Sequence, residues 1–301
     1  MKRAIVTGGT GFIGSWLVKE LIKNNVEVIV IVRNTLKAYE LFGDKITAVT
    51  AHSPECEVLL QESPEIDVFY HLAWEGVAPE KKNDREIQVV NIDLAMEMME
   101  FAFKLQVKRF IATGTVAEYS LCEDVMDVDA KQTPNDLYGA AKTATHYMLE
   151  TWARQLKMPF NWVVIPSTYG EGRRDNNILT YTIRTLLKGE KPSYGYLTQM
   201  WDFLYVGEVA RALFLIGEKG LYDKTYAIGS GDYRPLKEYV TIIRDIIDPD
   251  LPLGIGEVPS MSDKAFSSCV SIRELTKDVG FEPQITFEEG IKKSVEYYRN
   301  I

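Results

Sequence analysis

The first strand of this chain runs straight into glycine. Ala4-Ile5-Val6 has the apolar continuity of a short buried strand, and Thr7-Gly8-Gly9-Thr10-Gly11-Phe12-Ile13-Gly14 follows at once. Beyond the turn, Ser15 to Asn25 sets Leu17, Val18, Leu21 and Ile22 at helical spacing. Both Gly9-x-Gly11-x-x-Gly14 and Gly8-x-x-Gly11-x-x-Gly14 are present. Strand, glycine turn and helix in that order make a seat for a dinucleotide pyrophosphate. Backbone without side chains approaches the phosphates closely, and the helix N-terminus supplies free N–H groups and partial positive charge. Glycine turns also serve purely conformational ends, so the context carries the reading.

The first half keeps alternating. Val26 to Val32 reads as a second strand, Ile46 to Val49 as a third, Val68 to Leu72 as a fourth, Phe110 to Thr113 as a fifth and Trp162 to Ile165 as a sixth. Helices are predicted over 85–106, with Ile87, Val90, Leu94 and Met98 on one face, and over 138–156. Such alternation builds a parallel sheet covered on both faces, with ligands beyond the carboxyl ends of its strands. After Pro166 the rhythm loosens. A loop at 169–175 precedes a helix from Ile178 to Leu187, and a loop at 189–196 precedes a short strand from Phe203 to Val206. A helix at 208–217, a strand at 226–228 and late helices at 236–247 and 287–299 complete the chain. The expected architecture is α/β: a Rossmann-type doubly wound parallel sheet over 1–165, and a smaller C-terminal α+β substrate lobe over 166–301. Parts of 200–220 are expected to return to the first domain.

Composition narrows the function. A formal charge of −9 argues against a nucleic-acid binder. Cys56, Cys122 and Cys269 show no paired spacing, which speaks against a disulfide framework or a zinc site. His52, His71 and His146 are scattered, so no metal site is expected, and His71 reads as a strand-end core residue. With no signal-peptide pattern and no membrane-length apolar run, the expectation is a cytoplasmic enzyme.

The chemistry is carried by Tyr138-Gly139-Ala140-Ala141-Lys142. Residues four apart share a helix face, so the phenol and the ammonium can share a site. A neighbouring cation favours the phenolate and is expected to lower the tyrosine's pKa from its ordinary ~10, giving an acid or base usable near neutrality. Tyr233 and Lys237 repeat the spacing, but Pro235 spoils that stretch as a helix interior. The fifth strand ends in Thr113-Gly114-Thr115, and Thr115 is the candidate to hold and polarise a substrate oxygen.

With these residues the chain resembles the extended short-chain dehydrogenase/reductases, the NAD-dependent epimerase/dehydratase family of nucleotide-sugar enzymes. The likeness runs nearly end to end. It takes in Thr7 to Gly14, Tyr70-His71-Leu72-Ala73, Asn91, the Thr115/Tyr138/Lys142 set, Asn176-Asn177-Ile178, Trp201-Asp202-Phe203 and Gly280-Phe281-Glu282-Pro283. The resemblance implies that Tyr138 is the general acid/base, Lys142 also binds the nicotinamide ribose, and Thr115 orients the sugar oxygen. Further cofactor contacts are implied at Gly8, Gly11, Phe12, Ile13, Gly14, Arg33, Leu72, Ala73, Asn91 and Ile165. Contacts to a nucleotide-diphosphate sugar are implied at Ser167, Arg173, Asn177 and Ile178. Asn176 and Asn177 read equally well as helix N-caps. A homodimer is also implied, through a four-helix bundle of the helices that follow strands four and five.

Several positions depart from the family pattern. The second strand ends Val32-Arg33-Asn34, where an acid would bind the adenosine ribose of NAD; Arg33 suits a 2′-phosphate, so NADP(H) is favoured and NAD(H) remains possible. Ala51-His52-Ser53 lacks the aspartate expected near the adenine. Val116-Ala117 replaces the Asp-Glu of the 4,6-dehydratases and Glu118 comes one residue late, which speaks against dehydration. Trp201 replaces an arginine that often grips pyrophosphate: either Arg173 or Arg174 takes that task or the substrate is handled differently, and Trp201 reads equally well as a core aromatic. The leading expectation is a reductase of a nucleotide-linked 4-keto(-6-deoxy) sugar, with Tyr138 protonating the C4 oxygen. Gly229-Ser230-Gly231 and Gly256-Glu257-Val258-Pro259 are similar to the CDP-sugar reductases that make abequose and paratose. The alternative is an NAD-dependent 4-epimerase using the same three residues. A catalytically dead dinucleotide binder should have lost the Tyr or the Lys, and both are present.

Overall fold

In the computed structural model, which describes residues 1–51, 53–62, 64–120, 125–259 and 268–301, strand and helix alternate through the first half as β1 (Arg3–Thr7), α1 (Phe12–Lys23), β2 (Glu27–Val32), α2 (Thr35–Phe42), β3 (Ile46–Thr50), α3 (Pro54–Glu62), β4 (Val68–His71), α4 (Arg85–Lys104), β5 (Phe110–Thr115), α5 (Leu137–Leu156) and β6 (Phe160–Ile165). The second half continues with β7 (Ser167–Tyr169), α6 (Ile178–Leu187), β8 (Ser193–Tyr194), β9 (Met200–Trp201), β10 (Phe203–Tyr205), α7 (Val206–Lys219) and β11 (Lys224–Ala227). It ends with β12 (Arg234–Pro235), α8 (Leu236–Ile247), β13 (Gly254–Ile255), α9 (Arg273–Val279) and α10 (Phe287–Arg299).

Seven strands form one parallel sheet in the order β11-β6-β5-β4-β1-β2-β3. Apolar residues run continuously along its strands because both faces are covered. On β1 the side chains alternate: Ala4 and Val6 pack with Leu17, Val18 and Leu213, whereas Ile5 packs with Phe69, Met99 and Leu149. The first face is therefore held by α1 and α7, the second by α4 and α5. Burying one such Leu or Phe contributes about 1.5–3 kcal/mol, so the two layers fix where each strand ends.

Of the elements that differ from those expected, such as α3, α9 and the short strands of the second half, α2 and the end of β5 do so for identifiable reasons. The sequence shows no helical period over α2, since only Ala38 and Phe42 of its residues are buried while Leu36 and Leu41 are exposed. Apolar residues on both sides hide the helical period. β5 runs two residues past Thr113, pairing Gly114 with Val164 and Thr115 with Ile165. Gly114 breaks the apolar pattern because the site needs it: a Cβ there would lie 2.3 Å from Nε1 of Trp162.

The second half does not leave the sheet for good. β11 pairs in parallel with β6, from Lys224 opposite Asn161 to Ala227 opposite Val164, and α7 packs on α1. The remaining lobe has its own core, where Tyr239 meets Phe203 and Phe287 edge-on at 4.9 and 4.6 Å and packs with Ile183 of α6 and Val295 of α10. This lobe stands over the carboxyl end of the sheet. Among the described residues no helix is long and apolar enough to cross a membrane.

Candidate active site

The carboxyl ends of β1, β4, β5 and β6 open on one cleft of about 1030 Å³. At its floor is the glycine turn. Gly8 holds φ at +71°, a conformation that disfavours any side chain, and a Cβ there would lie 2.7 Å from the Ala73 nitrogen. A Cβ on Gly14 would lie 2.2 Å from the Gly8 carbonyl oxygen. The Gly11 N–H donates to that same carbonyl at 2.9 Å. Because Gly11 caps α1 with no side chain, the first-turn N–H groups point at the cleft without a competing acceptor from the cap. Such a cradle fits a dinucleotide diphosphate.

The second component is the start of α5. Asp136 accepts the Gly139 N–H at 2.7 Å as N-cap, and Gly139 lets the helix press on the turn after β5, since a Cβ would lie 2.4 Å from the Ala117 oxygen. This close approach sets Tyr138 and Thr115 on the same cleft wall. One turn along, buried Lys142 donates from Nζ to the Thr113 carbonyl at 2.7 Å. Its ammonium also sits 3.7 Å from the centroid of the Trp74 ring. Trp74 in turn meets Tyr138 edge-on at 6.3 Å and donates from Nε1 to Gln88 at 3.1 Å.

The electrostatics correct one expectation. Lys142 does not bring the Tyr138 phenol down. Burial pushes it up to about 12, with the Glu118 and Asp136 carboxylates adding to the rise and the neighbouring Thr115 side chain opposing it. Lys142 is itself pushed down to about 7 by burial, which Glu118 partly offsets. Tyr138 and Lys142 do line one cleft from the same helix, but desolvation outweighs the neighbouring cation.

Most expected site residues meet here. Gly8, Gly11, Phe12, Ile13, Gly14, Leu72, Thr115, Tyr138, Lys142, Ile165, Ser167 and Arg173 all line the cleft. Others serve elsewhere. The Arg33 side chain is 91% exposed and pairs with Glu75 at 3.2 Å, away from the cleft wall. Ala73 approaches through its backbone, its N–H donating to Thr7 Oγ1 at 3.3 Å. Asn91 accepts the Glu75 N–H at 2.9 Å and donates to the Glu75 carbonyl at 2.8 Å, so it shapes the loop after β4. Asn177 is the N-cap of α6, accepting the Thr180 N–H at 2.9 Å, and Ile178 packs in the lobe core. Arg173 is held by Asp175 at 2.5 and 2.6 Å and also donates to the Thr168 carbonyl; Arg174 lines the cleft beside it.

Trp201 is on the cleft wall, its Nε1 donating to Ser167 Oγ at 2.9 Å. His71 is buried beside Thr7, with Nδ1 at 2.9 Å from Thr7 Oγ1, as a strand-end core residue should be. Tyr233 and Lys237 share no helix: Pro235 ends β12, and α8 begins at Leu236. His52 and Cys122 lie outside the described residues. Sequence reasoning missed Trp74. Its signal was position, a large aromatic two residues past Leu72 at a sheet edge where backbone passes close to the glycine turn.

A glycine cradle at the carboxyl edge of a doubly wound parallel sheet, with the phenol of Tyr138 and Lys142 on the helix after β5, is the arrangement of a Rossmann-type dinucleotide-binding protein. The chain belongs to the NAD dependent epimerase/dehydratase family, whose sequence model matches residues 4–229. Among its relatives is the dTDP-glucose 4,6-dehydratase of Neisseria meningitidis serogroup B, 27% identical and covering 99% of this chain and 93% of that protein. Among solved structures, the UDP-glucose 4-epimerase of Thermotoga maritima with UDP-glucose superposes with a TM-score of 0.84 at 24% identity, covering 99% of both chains. The UDP-glucuronic acid 4-epimerase of Bacillus cereus, in complex with UDP-glucuronic acid and NAD, gives 0.86 at 20% identity with the same coverage.

Proposed function

We propose that this protein reduces the C4 ketone of a nucleotide-linked 4-keto(-6-deoxy) sugar, using NADP(H), with Tyr138 as proton donor. Thr115, Tyr138 and Lys142, in the cleft that the glycine turn opens into, support redox chemistry at a sugar carbon; the observation that carries the reductase reading is Arg33, with no acid, at the end of β2, which suits the 2′-phosphate of NADPH. A bound nicotinamide would supply the hydride. Tyr138 keeps its proton at neutral pH, because burial holds it at about 12, and reduction of a ketone needs an acid at that position. Thr115 would share the carbonyl oxygen, and Lys142 would hold the nicotinamide ribose. The 1–165 domain would carry the dinucleotide and the 166–301 lobe the nucleotide sugar, with Ser167, Trp201 and Arg174 at its end of the cleft.

Dehydration needs a further acid and base beside Thr115. Val116 and Ala117 occupy that wall, and Glu118 is turned inward and completely buried. NADP(H) is supported by the absence of an acid in Val32-Arg33-Asn34, although Arg33 would have to exchange Glu75 for a 2′-phosphate. A 4-epimerase is the second reading, supported by the NAD held in the B. cereus structure. Assembly belongs to the same proposal: α4 and α5 pack side by side and leave Val89, Val90, Tyr147 and Met148 exposed, apolar surface for a four-helix homodimer contact.

The test mixes purified protein with dTDP-4-keto-6-deoxyglucose, or its UDP and CDP counterparts, and either NADPH or NADH. Stoichiometric loss of reduced-cofactor absorbance is expected, faster with NADPH. A constant absorbance, together with isomerisation of UDP-glucose at C4 in a parallel incubation and NAD that copurifies, would replace the reductase with the epimerase.

A further inference from the structure

Behind the wall of the site, the two oxygens of Glu118 are committed in opposite directions. Oε1 accepts the Thr115 N–H at 2.8 Å. Oε2 accepts from Gln132 Nε2 at 2.9 Å and from Trp162 Nε1 at 3.3 Å, and stands 4.0 Å from Nδ1 of His146. The chain makes room for it: a Cβ on Gly114 would lie 2.3 Å from Glu118 Oε1 as well as from Trp162. The Thr133 N–H also donates to the Glu118 carbonyl, at 2.8 Å. The residue thus ties the 132–133 loop, β6 and the end of β5 together.

The consequence falls on Thr115. Its backbone N–H is clamped by Glu118, and its hydroxyl oxygen accepts the Ala117 N–H at 3.3 Å. With these two bonds the Thr115 hydroxyl is held at the cleft wall that Tyr138 also lines. An apolar side chain would fill the same space without the cost of burying a carboxyl, and burial indeed pushes this one up to about 7. A capping box at an exposed helix start works without such enclosure. Enclosure beside Lys142 and Thr115 makes sense where the aim of a hydroxyl matters.

We propose that Glu118 is a positioning residue, which clamps the Thr115 backbone against Trp162 and Gln132 so that the Thr115 hydroxyl meets Tyr138 and the substrate oxygen in one fixed orientation. The proposal rests on the roles given above to Thr115 and Tyr138. Its test uses Glu118→Gln and Gln132→Ala. In Glu118→Gln the new amide group faces the N–H donors of Trp162 and Gln132, whereas Gln132→Ala removes one arm from a half-buried side chain and leaves the carboxyl in place.

The first readout is the Thr115 methyl signal by NMR, assigned by its loss in Thr115→Ser. A single rotamer is expected in the wild type, and averaging between rotamers in both variants. The second is turnover of NADPH with dTDP-4-keto-6-deoxyglucose, where kcat should fall about tenfold or more while KM and dinucleotide affinity stay within about twofold. If Glu118→Gln does not fold, Gln132→Ala decides alone. An unmoved Thr115 methyl in a folded variant would overturn the proposal, as would a loss confined to KM. A wild type inactive on every keto sugar would instead count against the reductase reading, and the NMR comparison would still decide the role of Glu118.

Discussion

Replacing Tyr138 by Phe is expected to lower turnover about 10²- to 10⁴-fold, with dinucleotide affinity within about twofold of wild type. The substitution removes one oxygen and leaves the ring, so the edge-on contact with Trp74 and the start of α5 are kept. What is lost is the phenol hydroxyl, the proposed proton donor. Steady-state rates and a fluorescence titration with NADPH separate the two effects. The pH dependence follows from the same residue. Its acid form, held up to about 12, is the active one for reduction, so the phenol imposes no loss of rate on going down through neutrality. Its limb of the profile falls only as the pH rises toward its ionisation, and in the Phe variant that alkaline limb should be absent.

Gly14→Ala should cut dinucleotide affinity about 10- to 100-fold and destabilise the fold by about 1–3 kcal/mol. The added methyl would lie 2.2 Å from the Gly8 oxygen, 2.8 Å from its carbon and 3.0 Å from Gly9 Cα. All three are backbone atoms, so no side chain can rotate out of the way. The turn itself must open, and with it the cradle of N–H groups at the start of α1. Gly195→Ala is the control: its Cβ would meet only the Val258 oxygen, at 3.7 Å, an ordinary contact. That variant should stay within about 0.5 kcal/mol of wild type. Urea unfolding and NADPH titration of the pair check both parts, and equal affinities in the two variants would remove the glycine turn from the cofactor site.

The features legible in the sequence were those with a local period or a local steric demand. Strands of β-branched residues, the helix read over 85–106, the glycine turn and the four-residue step from Tyr138 to Lys142 all declare themselves within one or two turns of chain. What escaped was non-local. The pairing of β11 with β6 brings together residues some sixty positions apart, and nothing in Lys224–Ala227 marks it for the edge of the large sheet. The protonation of Tyr138 depends on burial by other elements, so helical spacing suggested a lowered phenol where the fold produces a raised one. Arg33 stands where a 2′-phosphate contact belongs in sequence, yet its direction is chosen by Glu75, forty-two residues on. Asn177 shows the opposite case. Its two readings, cap and ligand contact, were both open in the sequence, and the hydrogen bond to Thr180 supplies the first.

The central claim is that hydride is delivered to C4 of a nucleotide sugar while Tyr138 protonates the oxygen. Incubating the protein with NADPH carrying deuterium at the transferable position of the nicotinamide, and with dTDP-4-keto-6-deoxyglucose, tests it directly. NMR and mass spectrometry of the product should show one deuterium, bound at C4, for each cofactor oxidised. Deuterium at C6, or a product that carries none, would contradict the account.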